Sequence, residues 1–165
     1  MPELGVESRW VYHPTEEIDL ALAFVKGNLQ AQMLRVLRQG SIGSVSDVLE
    51  GDSIFFLGFP LGVGAEIDEP HHPIVRSGII AQKKGSQRFM IEGYAYPGSS
   101  GSPIFLKPQQ SEKPKLIGVL ESYISYDGEN SGLANCIDAS YIIDILNTVE
   151  FQNIANPIIN SLRIT

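Results

Sequence analysis

The chain has 165 residues, 43% hydrophobic and 19% charged, which suits one folded domain or a pair of small lobes and argues against a disordered polypeptide. A net charge of −7 is a poor match for phosphate backbones or anionic lipid, so neither nucleic acid nor a membrane surface is an expected partner. The single cysteine, Cys136, excludes an internal disulfide and with it a disulfide-stapled secreted architecture.

The opening residues Met1-Pro2-Glu3-Leu4-Gly5 lack the basic and apolar segments of a signal peptide, and no run of about 18 apolar residues occurs. The expectation is therefore a cytoplasmic protein. Trp10-Val11-Tyr12 reads as a short strand stopped by Pro14. Residues 18–25 fit two descriptions. Ile18, Leu20, Leu22 and Phe24 alternate with smaller or polar residues as in a strand, while Thr15-Glu16-Glu17 could cap a helix running through Leu37. Residues 41–46 are small and polar and read as a connector.

Beyond this connector the strand signals sharpen. Residues 53–59 are rich in strand formers between the Gly51-Asp52 turn and Pro60. Further strands are expected at 73–80, 88–94, 103–106, 116–120 and 132–137. Residues 139–149 carry Tyr141, Ile142, Ile145 and Leu146 at helical spacing, and the last fifteen residues are apolar without a regular period. With 16 glycines and 10 prolines marking turns between strands, the pattern predicts a mostly β fold, an antiparallel barrel or sandwich closed by one helix.

One turn carries chemistry. Gly98-Ser99-Ser100-Gly101-Ser102-Pro103 lies between the apolar segments Met90-Ile91 and Ile104-Phe105. A serine that attacks a carbonyl needs an exposed oxygen and backbone N–H donors aimed at the developing negative charge. A glycine two residues earlier lets the N–H groups of Gly98 and Ser100 converge on one point. Gly101 allows a substrate backbone to approach, and Pro103 starts the departing strand. The Gly-x-Ser-x-Gly elbow of α/β-hydrolases does not fit, because Ser102 stands at its second glycine.

This stretch resembles the Gly-x-Ser-Gly-Gly/Ser-Pro signature of trypsin-like (chymotrypsin-fold) serine peptidases, in their cysteine-poor bacterial version. Other segments are similar in order. His13-Pro14-Thr15-Glu16-Glu17-Ile18-Asp19-Leu20-Ala21-Leu22 looks like the segment bearing the triad aspartate. Residues 51–62 look like the opening strand of the second barrel, Leu116 to Leu120 like the strand lining the specificity pocket, and Gly132-Leu133-Ala134-Asn135 with the following helix like the C-terminal end. The resemblance spans about residues 10–150. It implies a complete second barrel and only part of the first: a remnant and connector over 1–45, the second barrel with its helix over 46–150, and a tail over 151–165.

By the same resemblance Ser100 is the nucleophile, Asp19 orients an imidazole, and the N–H groups of Gly98 and Ser100 form the oxyanion hole. Tyr94, six residues before the serine, falls at the floor of the specificity pocket, where its neutral side chain does not support cleavage after Arg or Lys. Leu120, Glu121 and Ser122 would line one wall. No cofactor and no metal are implied. Asp19 is equally readable as a solvent-facing carboxylate, and the pocket residues as ordinary sheet packing.

The mechanism also needs a histidine. His13 lies six residues before Asp19 at the edge of a turn and reads as an exposed loop residue. His71 and His72 are adjacent in a loop, where extended neighbours point opposite ways and rarely share one ion, so a solvated loop is the better reading. The family's base would then lie upstream of this sequence. Three functions follow: a serine endopeptidase truncated before its histidine, a catalytically inactive fold that binds peptides or proteins, or an unrelated β domain. An incomplete first barrel would leave strand edges unpaired and favour self-association.

Overall fold

The computed structural model describes residues 9–24, 37, 39–63, 72–85, 87–108 and 113–162. Its backbone divides into two compact units, Arg38–Ser140 and the pair of segments Met1–Leu37 and Tyr141–Thr165.

In the unit Arg38–Ser140, strand-forming sequences bounded by turns become six antiparallel strands. Numbered after the two strands of the other unit, they are β3 (Ser53–Gly58), β4 (Ile74–Lys84), β5 (Arg88–Glu92), β6 (Pro103–Leu106), β7 (Lys115–Tyr126) and β8 (Glu129–Asp138). They close into a barrel in the order β3-β4-β5-β8-β7-β6, with β6 returning to pair with β3. The inward faces carry Ile54, Phe56, Ile80, Phe89, Ile91, Ile104, Leu120, Ala134 and Cys136, each at most 2% exposed. Burial of such side chains is the main stabilising term, about 1.5–3 kcal/mol for each large one. The expected antiparallel barrel is therefore present, with β4, β7 and β8 longer than the apolar runs alone suggest.

The extra length of β7 and β8 comes from a hairpin. Asp127 (φ 52°) and Gly128 (φ 79°) both occupy left-handed conformations between the strand ends. Two such residues make the turn whose twist matches that of the flanking strands. Beyond the hairpin, β8 ends at the buried Asp138. Its carboxylate accepts from Ser44 Oγ (2.8 Å), Val45 N (2.9 Å) and Ser140 N (2.8 Å).

Strand order dictates how the chain leaves β5. Around the closed barrel β5 and β6 are separated by β8 and β7 on one side and by β4 and β3 on the other. Residues 93–102, which join β5 to β6, must therefore cross the end of the barrel. This is the segment that holds the Ser100 turn.

In the other unit β1 (Arg9–Tyr12) pairs antiparallel with β2 (Ala21–Phe24). The two descriptions of residues 18–25 resolve to a strand over 21–24, and the helical alternative beyond it falls on residues outside those described. This two-stranded sheet is what the described residues contain of a first barrel. Helix α1 spans Ser140–Leu146, as its spacing predicts.

Of the last fifteen residues, read as apolar without a regular period, 151–162 belong to helix α2 (Val149–Leu162). Thr148 supplies the start signal: its Oγ1 accepts from Phe151 N at 3.1 Å, the bond of an N-cap. Phe151 packs its ring on Phe24 at 4.8 Å and Ala155 is buried, so the helix is held by an apolar face despite Pro157. Among the described residues no helix is long and apolar enough to cross a membrane.

Candidate functional site

From Tyr96 to Ser102 the turn is built by hydrogen bonds that leave two backbone donors over among the described residues. Ser99 N donates to Tyr96 O (2.9 Å), Gly101 N to Leu120 O (2.8 Å) and Ser102 N to Ser99 O (3.0 Å). Gly98 N and Ser100 N donate to no acceptor among the described residues. Both residues are exposed, so these two N–H groups, two residues apart, are open to an incoming acceptor from solvent.

Two glycines make the turn possible. Gly98 has φ 87° and Gly101 φ 84°, conformations that a side chain disfavours. A Cβ at position 98 would also lie 2.7 Å from Phe59 O. The neighbouring turn after β3 braces the same place, with Leu61 N donating to Pro97 O at 2.7 Å. Ser99 is fully buried beneath the turn. Its Oγ accepts from Tyr96 N (3.1 Å) and from Arg76 Nη2 (2.9 Å). Ser100 itself is exposed, and its hydroxyl has no hydrogen-bond partner among the described residues.

A cavity of about 210 Å³ opens beside Ser100. Leu120, Glu121, Ser122 and Tyr123 of β7 line it, together with Tyr96, Pro97 and Gly98. The three residues Leu120, Glu121 and Ser122 are thus brought to the serine. The Glu121 carboxylate is held by Arg88, whose Nε and Nη2 donate to it at 3.3 and 3.1 Å.

Tyr94 does not line this cavity. The chain turns at Gly93, whose N–H donates to Gly132 O at 2.7 Å. The Tyr94 ring is then 60% exposed, stacks on Tyr96 at 6.4 Å, and lines a separate depression of about 720 Å³ with Gly132 and Leu133.

Asp19 belongs to the other unit. It is exposed and lines a depression of about 490 Å³ that also includes Tyr12, His13 and Glu16. It has no hydrogen bond or ion pair among the described residues. His13, read from sequence as an exposed loop residue, is only 8% exposed. Its Nδ1 accepts from Thr15 N at 3.0 Å, its ring meets Tyr141 edge-on at 5.2 Å, and its Nε2 lies 3.6 Å from Asp144 Oδ2. The reason it is buried is tertiary: the covering side chains come from α1, over a hundred residues later. His72 is exposed and His71 lies outside the described residues. Among the described residues no three His, Cys, Asp or Glu side chains are grouped to share a metal ion.

Arg76 is the site residue that sequence reading missed. It looks like one more polar position of a strand, and only the cross-strand partner Phe56 shows that it faces into the barrel.

The family model for the trypsin-like peptidase domain matches residues 5–118, a span that contains both Asp19 and Ser100 and ends within β7. No curated protein matches the chain significantly. With more than half its length matched, and a closed six-stranded antiparallel barrel carrying the matched Gly-Ser turn, the chain belongs to the trypsin-like peptidase domain family.

Proposed function

We propose that the chain is a serine-type endopeptidase domain that acts on peptide or protein substrates through Ser100. The observation that carries this reading is the pair of unused donors, Gly98 N and Ser100 N, flanking an exposed serine hydroxyl. In the proposed chemistry Ser100 Oγ bonds to the substrate carbonyl carbon and passes its proton to a base. The carbonyl oxygen takes up the electron pair and receives the two N–H bonds. The C–N bond then breaks as the leaving amine is protonated, and water hydrolyses the acyl ester.

The cavity beside Ser100 supports an uncharged side chain at the cleavage position. Its walls include Leu120, Tyr96, Pro97 and Tyr123, and the one carboxylate, Glu121, is engaged by Arg88. Peptides ending in leucine or phenylalanine fit it better than those ending in lysine.

A second reading is supported by the Ser100 hydroxyl, which lacks a hydrogen-bonded base among the described residues. In that reading the domain binds peptides without cleaving them. A fluorophosphonate probe separates the two. Serine Oγ attacks phosphorus, the P–F bond breaks, and fluoride leaves with the proton taken up by base or water. Labelling that disappears in Ser100→Ala supports the nucleophile. Peptide binding without labelling favours the binding module, and the absence of both refutes the proposal.

A further inference from the structure

A half-buried cation, Arg76, lies beneath the Ser100 turn at the end of the barrel. Arg76 stands opposite Phe56 in the β3–β4 ladder, and Phe56 is fully buried. Directly opposed residues share a face, so Arg76 points inward at the barrel end that residues 93–102 cross. Its guanidinium lies 4.5 Å from the Phe56 ring centroid. Nη1 donates to Tyr94 O at 2.7 Å and Nη2 to Ser99 Oγ at 2.9 Å. Those two acceptors bracket the start and the middle of the crossing segment.

The cation is uncompensated. Among the described residues Arg76 has no carboxylate partner, and its buried Nε has no acceptor. Burial holds the guanidinium below its ordinary pKa, with the nearby Tyr96 acting in the opposite sense. A partly desolvated charge without a counter-ion among the described residues attracts an anion bound nearby, and the buried, unpaired Nε adds to that pull.

We propose that Arg76 is the positioning residue of this turn: by clamping Tyr94 O and Ser99 Oγ it aims the Gly98 and Ser100 N–H groups, and its unpaired charge favours an anionic group bound there. The proposal rests on the peptide reading of the Ser100 turn and deepens it. Arg76 acts through Ser99 and the backbone, and so differs from the groups that would touch substrate. The ligand class it implies is the carboxylate end of a cleaved peptide, or the oxyanion that precedes it. A planar fork suits two acceptors held at fixed spacing better than an ammonium does.

The test uses the full chain, labelled with 15N, and an acetylated Ala-Ala-Leu tripeptide supplied as free acid and as amide. The amide signals of Gly98 and Ser100 report where each peptide binds. The parent chain is expected to bind the acid more tightly than the amide, with both signals shifting. Arg76→Met keeps the packing on Phe56 and should lower the acid-to-amide affinity ratio about tenfold, the scale of one charge-assisted hydrogen bond. Arg76→Lys should restore part of that ratio.

An Arg76 that only stabilises the fold would lower the thermal midpoint and weaken both peptides equally, leaving the ratio unchanged, and that result overturns the proposal. If Arg76→Met does not fold, Ser99→Ala tests the same clamp. It should lower the ratio at least about threefold, and an unchanged ratio overturns the proposal. A parent chain that binds acid and amide alike, with both signals shifting, overturns this proposal and leaves the peptide reading standing; one whose Gly98 and Ser100 signals stay still with either peptide sinks the peptide reading and this proposal with it.

Discussion

Gly98→Ala separates the local and tertiary requirements of the Ser100 turn when it is compared with Gly128→Ala. Both glycines have positive φ, 87° and 79°. An alanine in the left-handed region costs about 1–2 kcal/mol. At position 128 that is the whole cost, because an added Cβ meets nothing within 4 Å. At position 98 the added Cβ lies 2.7 Å from Phe59 O, so the turn or the brace at 59–62 must shift.

Gly128→Ala is therefore expected to lower the thermal midpoint by roughly 2–8 °C, from about 2–4 °C per kcal/mol for a domain of this size. Gly98→Ala should lose at least about 1 kcal/mol more, within the usual range for strained backbone. It should also slow fluorophosphonate labelling of Ser100 by roughly 10²–10³, the effect of misaiming one oxyanion donor. The assays are thermal unfolding by circular dichroism and the second-order labelling rate. Equal midpoints for the two variants, with undiminished labelling of Gly98→Ala, would refute the reasoning about the turn.

Three other outcomes follow from the packing. Burial, reinforced by Glu121, pushes the Cys136 thiol well above its ordinary 9.0, so it should resist thiol reagents in the folded protein at pH 8 and react once unfolded. With the folded value raised, this group's contribution to stability is intact below pH 9 and declines as the unfolded thiol ionises, by up to about 1.4 kcal/mol per pH unit. Cys136→Ala should flatten that decline in denaturation curves above pH 9, and an unchanged slope would count against it. Asp138→Ala leaves the donors of Ser44, Val45 and Ser140 without their acceptor and should cost about 3 kcal/mol in urea unfolding; a loss under about 1 kcal/mol would contradict the buried network. Trp10 and Tyr12, 51% and 70% exposed on β1, should drive concentration-dependent association in sedimentation velocity, and a monomer at all concentrations would exclude it.

Features set by neighbouring residues were legible in the amino-acid order. The Gly98–Pro103 turn is one, because its shape depends on glycines that tolerate positive φ and on flanking strands rich in strand formers. The strand centres and α1 are others, since hydrophobic spacing is a local property. What lay outside that reach depends on residues far apart in sequence. Ser122 to Tyr126 become strand because β8 supplies partners across the Asp127-Gly128 turn. His13 is buried by side chains of α1, and Thr148 caps a helix whose apolar face needs Phe24.

Arg76 gives the clearest contrast. The sequence alone determines a serine turn poised between two strands. Closing the barrel in the order β3-β4-β5-β8-β7-β6 forces that turn across the barrel end and sets a guanidinium from β4 beneath it, 23 residues before Ser99. No local pattern encodes that approach, because it arises only when non-neighbouring strands share one interior.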